Sequence, residues 1–263
     1  MKYGGVTLEH VLAFQIRIMM GNQYNRLVEG MRTGGKLEQP VIACLRLGWN
    51  DAFRHTSENT EEANKWSDTK KQQEMACICE NLVKEFCEYT KKQSTQERHA
   101  YIHEKMEDPE FKKKFESFKV IEGSDKALSF GHIQKMFNIA VKLYLCLKIC
   151  ADSAPNPIIL EYGATPVENV WLDPKKLELL SSENVTADCP IDHYILEAID
   201  KRLSNTGACR TSNISTKRFA DIPWSKLRGE EDQNYIEIQK EIAALQKNDS
   251  KSNLCFDFEG WNR

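Results

Sequence analysis

No apolar run in the chain approaches the roughly 18 residues that a membrane-spanning helix needs, so no membrane partner is expected. No Cys-x-x-Cys pair occurs and no Cys/His cluster has zinc-ligand spacing, so no metal site and no cofactor is expected. Positive charge is not in excess: the formal net charge is −3. That removes a global signal for nucleic acid but leaves room for a local basic patch, because binding depends on where charge sits. Residues 1–23 are broken by Glu9, His10, Gln15 and Arg17 and do not read as a secretory signal. Neither an internal repeat nor a low-complexity stretch is present.

Cysteine is plentiful but unpaired in pattern. Cys44, Cys77, Cys79, Cys87, Cys146, Cys150, Cys189, Cys209 and Cys255 are odd in number and mostly fall within apolar helical patterns. Such thiols behave as small buried hydrophobes in a reducing compartment, so a cytoplasmic location is expected.

With 263 residues, 41% hydrophobic and 29% charged, the chain can bury a sizeable core. The patterning predicts an all-α fold with few or no strands. A single helical domain covers 1–263, divisible into a lobe over 1–125 and a lobe over 126–263. Residues 7–32 carry apolar positions at helical spacing. "QPVIACLRLGWNDAFRHT" starts on Pro40, well placed for a helix, although its β-branched opening leaves a strand open. Residues 57–93 read as one long helix, and 94–123 as one or two shorter helices broken near Pro109. "FGHIQKMFNIAVKLYLCLKIC" is apolar nearly all round, which predicts a central buried helix over about 131–150. Residues 151–187 hold four prolines and read as a long inserted excursion; loops of that length are often functional. The aromatic tail "CFDFEGWNR" is expected to fold back on the body.

Two elements could carry chemistry. "CPIDHYILEAIDKRL" places Asp192 immediately before an amphipathic helix, where an acid caps the free N–H groups of the first turn. A carboxylate held there is also a candidate catalytic group, kept ionised by the helix dipole. "SFGHIQKMFNIAVK" places Lys135 and Lys142 two helical turns apart on one face of an apolar helix. Amines on such a helix either snorkel to solvent or need partners. If Lys135 faces a cleft, a desolvated amine there is a candidate nucleophile.

The combination of a glycine-containing turn, a helix opening with Lys135 and a Pro-Ile-Asp helix start resembles the helix-hairpin-helix DNA glycosylases, most of all the archaeal 8-oxoguanine glycosylase branch with its degenerate hairpin. The resemblance implies a glycosylase-like helical core and a duplex DNA partner carrying a modified base. It implies Asp192 as the essential carboxylate and Lys135 as the Schiff-base lysine if a lyase step exists. Backbone groups around Ser129, Gly131 and His132 would then hold a phosphate, as helix N-termini do. Gln134, Lys142 and His193 would be further substrate or DNA contacts. A flipped base needs aromatic and amide readers, and "LGWNDAFRHT" offers Trp49, Asn50 and Arg54. Trp49 fits a core position better than a stacking plate.

Two other readings stay open. "ERHAYIH" puts Arg98 and His103 five residues apart, which resembles the motif of the all-helical HEPN ribonucleases. There the histidine would act in acid–base catalysis and the arginine would stabilise phosphorane charge, usually across a dimer axis. The third reading is a non-enzymatic helical interaction protein that uses its long charged helices. The glycosylase reading alone requires Lys135 and Asp192 to lie about 3 to 6 Å apart at one cleft.

Overall fold

The computed structural model describes residues 38–53, 68–115, 128–152, 187–227, 229–246 and 252–260. The expected helix over 7–32, the excursion over 153–186 and Arg54 lie outside the described residues. Among the described residues the fold is all-α, with no strand. In chain order the helices are α1 (Glu38–Phe53), α2 (Asp68–Asn81), α3 (Val83–Thr90), α4 (Thr95–Glu107), α5 (Pro109–Lys113), α6 (Phe130–Asp152), α7 (His193–Thr206), α8 (Gln233–Gln246) and α9 (Leu254–Gly260). Three short 3-10 turns, Phe219–Asp221, Trp224–Lys226 and Gly229–Asp232, link α7 to α8.

Helix α6 is the axis of the assembly. Ile133, Met136, Phe137, Ala140, Val141, Leu143, Tyr144 and Leu145 are buried over rather more than half of its circumference, and the buried polar residues His132, Lys135, Asn138 and Lys142 fill the rest. Burying one such side chain contributes roughly 1.5–3 kcal/mol. Helix α1 makes its main contact with α6, and α3, α4 and the Trp224 turn pack on it as well. Gly48 lets α1 come close, since a Cβ there would collide with the Met136 carbonyl oxygen. The strand that the start of α1 left open is not formed; the segment is helical from Glu38, with Pro40 in its first turn, where a missing N–H costs nothing.

The single long helix expected over 57–93 is two helices where it is described. The break falls at Leu82, which is fully buried. Hydrogen bonds still run through the break, from Leu82 N–H to Ile78 O at 3.0 Å and from Phe86 N–H to Leu82 O at 2.9 Å. Helix α4 begins in a complete capping box: the Ser94 side chain accepts from Glu97 N–H while the Glu97 carboxylate accepts from Ser94 N–H. Asp108 caps α5, with Pro109 at its first position. The tail folds back as expected: Leu254, Cys255, Phe256 and Asp257 of α9 are all buried.

Candidate active site

Lys135 stands in the second turn of α6 with its side chain only 8% exposed. Its amine lies 3.3 Å from Asp192 Oδ2 and 2.9 Å from Asp51 Oδ2. It also lies 3.4 Å from the Asp51 carbonyl oxygen. The Trp224 indole covers it, with Nζ 4.7 Å from the ring centroid. Four segments therefore meet at one amine: the last turn of α1, the start of α6, the cap of α7 and the Trp224 turn. A nearly buried cation flanked by two carboxylates and an aromatic face has the partners that burial demands.

Asp192 takes both roles that its sequence position allows. Oδ1 accepts the N–H of Ile195 at 3.0 Å, which caps α7, while Oδ2 faces Lys135. The helix start thus orients the carboxylate and supplies a partial positive charge behind it.

Residues 187–192 approach α7 as an extended segment whose backbone is satisfied by side chains. Ala187 N–H donates to Ser252 Oγ at 3.1 Å, and Ser252 Oγ donates to Ala187 O at 2.6 Å. The Gln239 amide brackets Cys189, accepting its N–H at 3.1 Å and donating to its carbonyl at 2.7 Å. Gln134 repeats the pattern on Ile191, accepting its N–H at 3.2 Å and donating to its carbonyl at 2.9 Å. Gln134 is the neighbour of Lys135 and Ile191 the neighbour of Asp192, so one buried amide locks the two chains in register beside the pair. Asp188 anchors the same segment: it accepts two hydrogen bonds from Arg98, at 2.9 and 2.7 Å, and one each from Thr95 and Tyr235. Burial and then the Asp188 charge push the Tyr235 hydroxyl far above its ordinary range, so it stays a donor. Burial, reinforced by the Asp257 and Asp192 carboxylates, likewise holds Cys189 as a thiol, which disqualifies it as a nucleophile.

No family model, curated protein or solved structure matches the chain. Among the described residues, no group of three or more His, Cys, Asp or Glu side chains is arranged to hold a metal ion.

The remaining sequence candidates fall in different places. Ser129, Gly131 and His132 sit at the start of α6, buried under the Trp224 turn. Ser129 Oγ donates to Ser225 O at 2.7 Å, and a Cβ on Gly131 would run into the Trp224 carbonyl. The N–H groups of His132 and Ile133 turn back to Ser129 O, at 3.1 and 3.3 Å. The protein's own turn therefore occupies the place where the resemblance puts a phosphate. Lys142 does not join Lys135 at the Asp192 carboxylate; it is enclosed in a 2.5 Å ion pair with Asp257 of α9. Trp49 belongs to an aromatic stack, 4.2 Å from Phe53 and 5.5 Å from Phe115 between ring centroids. Asn50 is half-buried on α1. His193 is exposed and pairs with Glu197 at 3.0 Å.

Arg98 and His103 diverge on α4. Arg98 is buried against Asp188, while His103 is half-exposed and bonded through Nδ1 to Asp232 Oδ2 at 2.6 Å. Asp232 also bonds His99 Nε2 at 2.8 Å. Asp51 and Trp224 are the site residues that sequence reasoning missed. Asp51 lies within "LGWNDAFRHT" but has no sequence link to Lys135, and no local motif around Trp224 points to that amine.

Proposed function

We propose that the chain excises a modified base from duplex DNA by cleaving its N-glycosidic bond. The observation that carries this reading is the 3.3 Å approach of the Lys135 amine to the Asp192 carboxylate at a helix N-terminus. Glycosidic cleavage builds positive charge on the sugar, and a fixed carboxylate beside C1′ stabilises that charge. Asp192 is the group placed for this role. It is held by its cap and by the Gln134 clamp on Ile191, so it needs no reorganisation during the reaction.

Lys135 is the candidate nucleophile. Asp192 or Asp51 takes a proton from its ammonium group, and the freed amine attacks C1′. The C1′–N bond breaks, its electron pair leaves with the base, and the carboxyl group returns the proton it took to the departing base nitrogen. With water in place of the amine, Asp192 accepts the water proton and the product is an abasic sugar. The Trp224 indole excludes water from one side of the amine. The target base must leave the duplex stack to reach these groups.

The test is base release from a panel of duplexes carrying oxidised, deaminated or alkylated bases. Wild type releases one class, Asp192→Asn slows release at least 100-fold, and Lys135→Gln abolishes any strand nicking. Release from no duplex by folded wild type contradicts the reading.

A further inference from the structure

The chain changes charge between the aspartate helix and Trp224. Over 201–226 it carries Lys201, Arg202, Arg210, Lys217, Arg218 and Lys226 against the single acid Asp221, in a protein whose net charge is −3. This stretch runs from the second half of α7 to the Trp224 turn. Gly207, at φ 62°, ends α7 and turns the chain back. Asp200 of α7 then captures the returning strand, accepting the N–H groups of Phe219 at 2.9 Å and Ala220 at 3.0 Å. A few residues later the chain reaches Trp224 above Lys135. The basic residues divide into two sets. Arg202 and Arg210 lie over Phe256 and Phe219, at 5.1 and 4.2 Å, and serve packing. Lys201, Lys217 and Arg218 are exposed. Arg218 also pairs with Asp200, Nε to Oδ2 at 3.8 Å, beside the backbone N–H groups that this carboxylate accepts.

A nucleic-acid enzyme needs a grip on phosphate, and the start of α6 is closed by Trp224 and Ser225. We infer that the exposed cations of 201–226 are the surface that holds the phosphate backbone of duplex DNA beside Lys135. The inference rests on the base-excision reading and assigns its DNA partner to a specific surface. Duplex DNA carries one negative charge per about 1.7 Å of axis, and each phosphate neutralised adds roughly 0.9 to the salt dependence of binding. Such contacts set register and orientation without reading bases. A mixed-charge protein can bind in this way only through a segregated patch, and the exposed charges of this stretch include Lys201, Lys217 and Arg218 against the single acid Asp221.

The experiment is fluorescence anisotropy with a short labelled duplex across a salt series. It compares wild type, Lys217→Glu/Arg218→Glu, Lys201→Glu, and Lys112→Glu/Lys113→Glu on α5 as a charge-matched control, all checked for equal thermal melting. The expected result is at least tenfold weaker binding for Lys217→Glu/Arg218→Glu, with the slope of log K against log salt reduced by about two. Lys201→Glu lowers the slope by about one, and the α5 control changes it by less than half a unit. An unchanged slope in the 217/218 variant, an equal loss in the control, or preference for single-stranded RNA over duplex overturns the inference. Base release distinguishes its failure from that of the parent reading. Duplex binding through 201–226 with no base released refutes excision and leaves the surface standing. Base release indifferent to Lys217→Glu/Arg218→Glu refutes the surface and leaves excision standing.

Discussion

The carboxylate of Asp192 faces the amine of Lys135 at 3.3 Å while its other oxygen caps α7. Holding a helix and holding a cation use different oxygens of one side chain, so the two roles separate by substitution.

Asp192→Asn keeps a good capping residue, and the melting temperature is expected to stay close to wild type. Asp192→Ala loses the cap and costs about 1 kcal/mol, read by denaturant unfolding. Both variants lose base release alike. Activity that followed stability instead would make Asp192 a cap only.

Gln134→Leu removes the amide that spans Ile191. It leaves a buried N–H and carbonyl unsatisfied, at about 1–3 kcal/mol for each lost partner. Because Ile191 precedes Asp192, kcat should fall more than KM rises. Gln134→Glu keeps an acceptor for Ile191 N–H and is expected to recover part of kcat. A change in stability with kcat untouched would deny Gln134 a positioning role.

The Lys142–Asp257 pair is buried on both sides. Lys142→Met alone takes the cation from a buried carboxylate and is expected to cost about 3–5 kcal/mol in urea unfolding. Adding Asp257→Leu should return most of that loss. Base release at a temperature where each variant is folded is expected to stay near wild type, since this lysine pairs with Asp257 and not with Asp192.

How far the sequence reaches is clear from particular residues. Lys135 and Asp192 are legible because each sits at a local signal, a turn into an apolar helix and an acid before an amphipathic one. Asp51 and Trp224 are not, because tertiary packing brings them to the amine from 84 and 89 positions away in the chain. Arg98 sits in a run of lysine and glutamate that resembles a solvated face, yet Asp188, 90 residues later, draws it into the core. Leu82 interrupts a pattern that is helical throughout, and no proline or glycine marks the break. The helical class follows from period and composition, whereas which helix ends meet depends on long-range contacts.

Thiol accessibility checks the packing independently. Cys77 and Cys209 are exposed, whereas Cys44, Cys79 and Cys189 are buried, and burial pushes the Cys79 thiol up to about 12. Iodoacetamide labelling of the native protein at neutral pH, mapped by peptide mass, should mark Cys77 and Cys209 well before the other three. Early labelling of Cys189 would mean that the 187–192 segment is not packed as described.

The most direct test of the central claim is borohydride trapping on the modified duplex from which base release is greatest. A covalent protein–DNA complex should form with wild type and fail to form with Lys135→Ala, while Asp192→Asn should trap far more slowly. Equal trapping by Lys135→Ala, or neither trapping nor base release by folded wild type on any duplex, would contradict the assignment of the Lys135–Asp192 pair as the chemical centre of this protein.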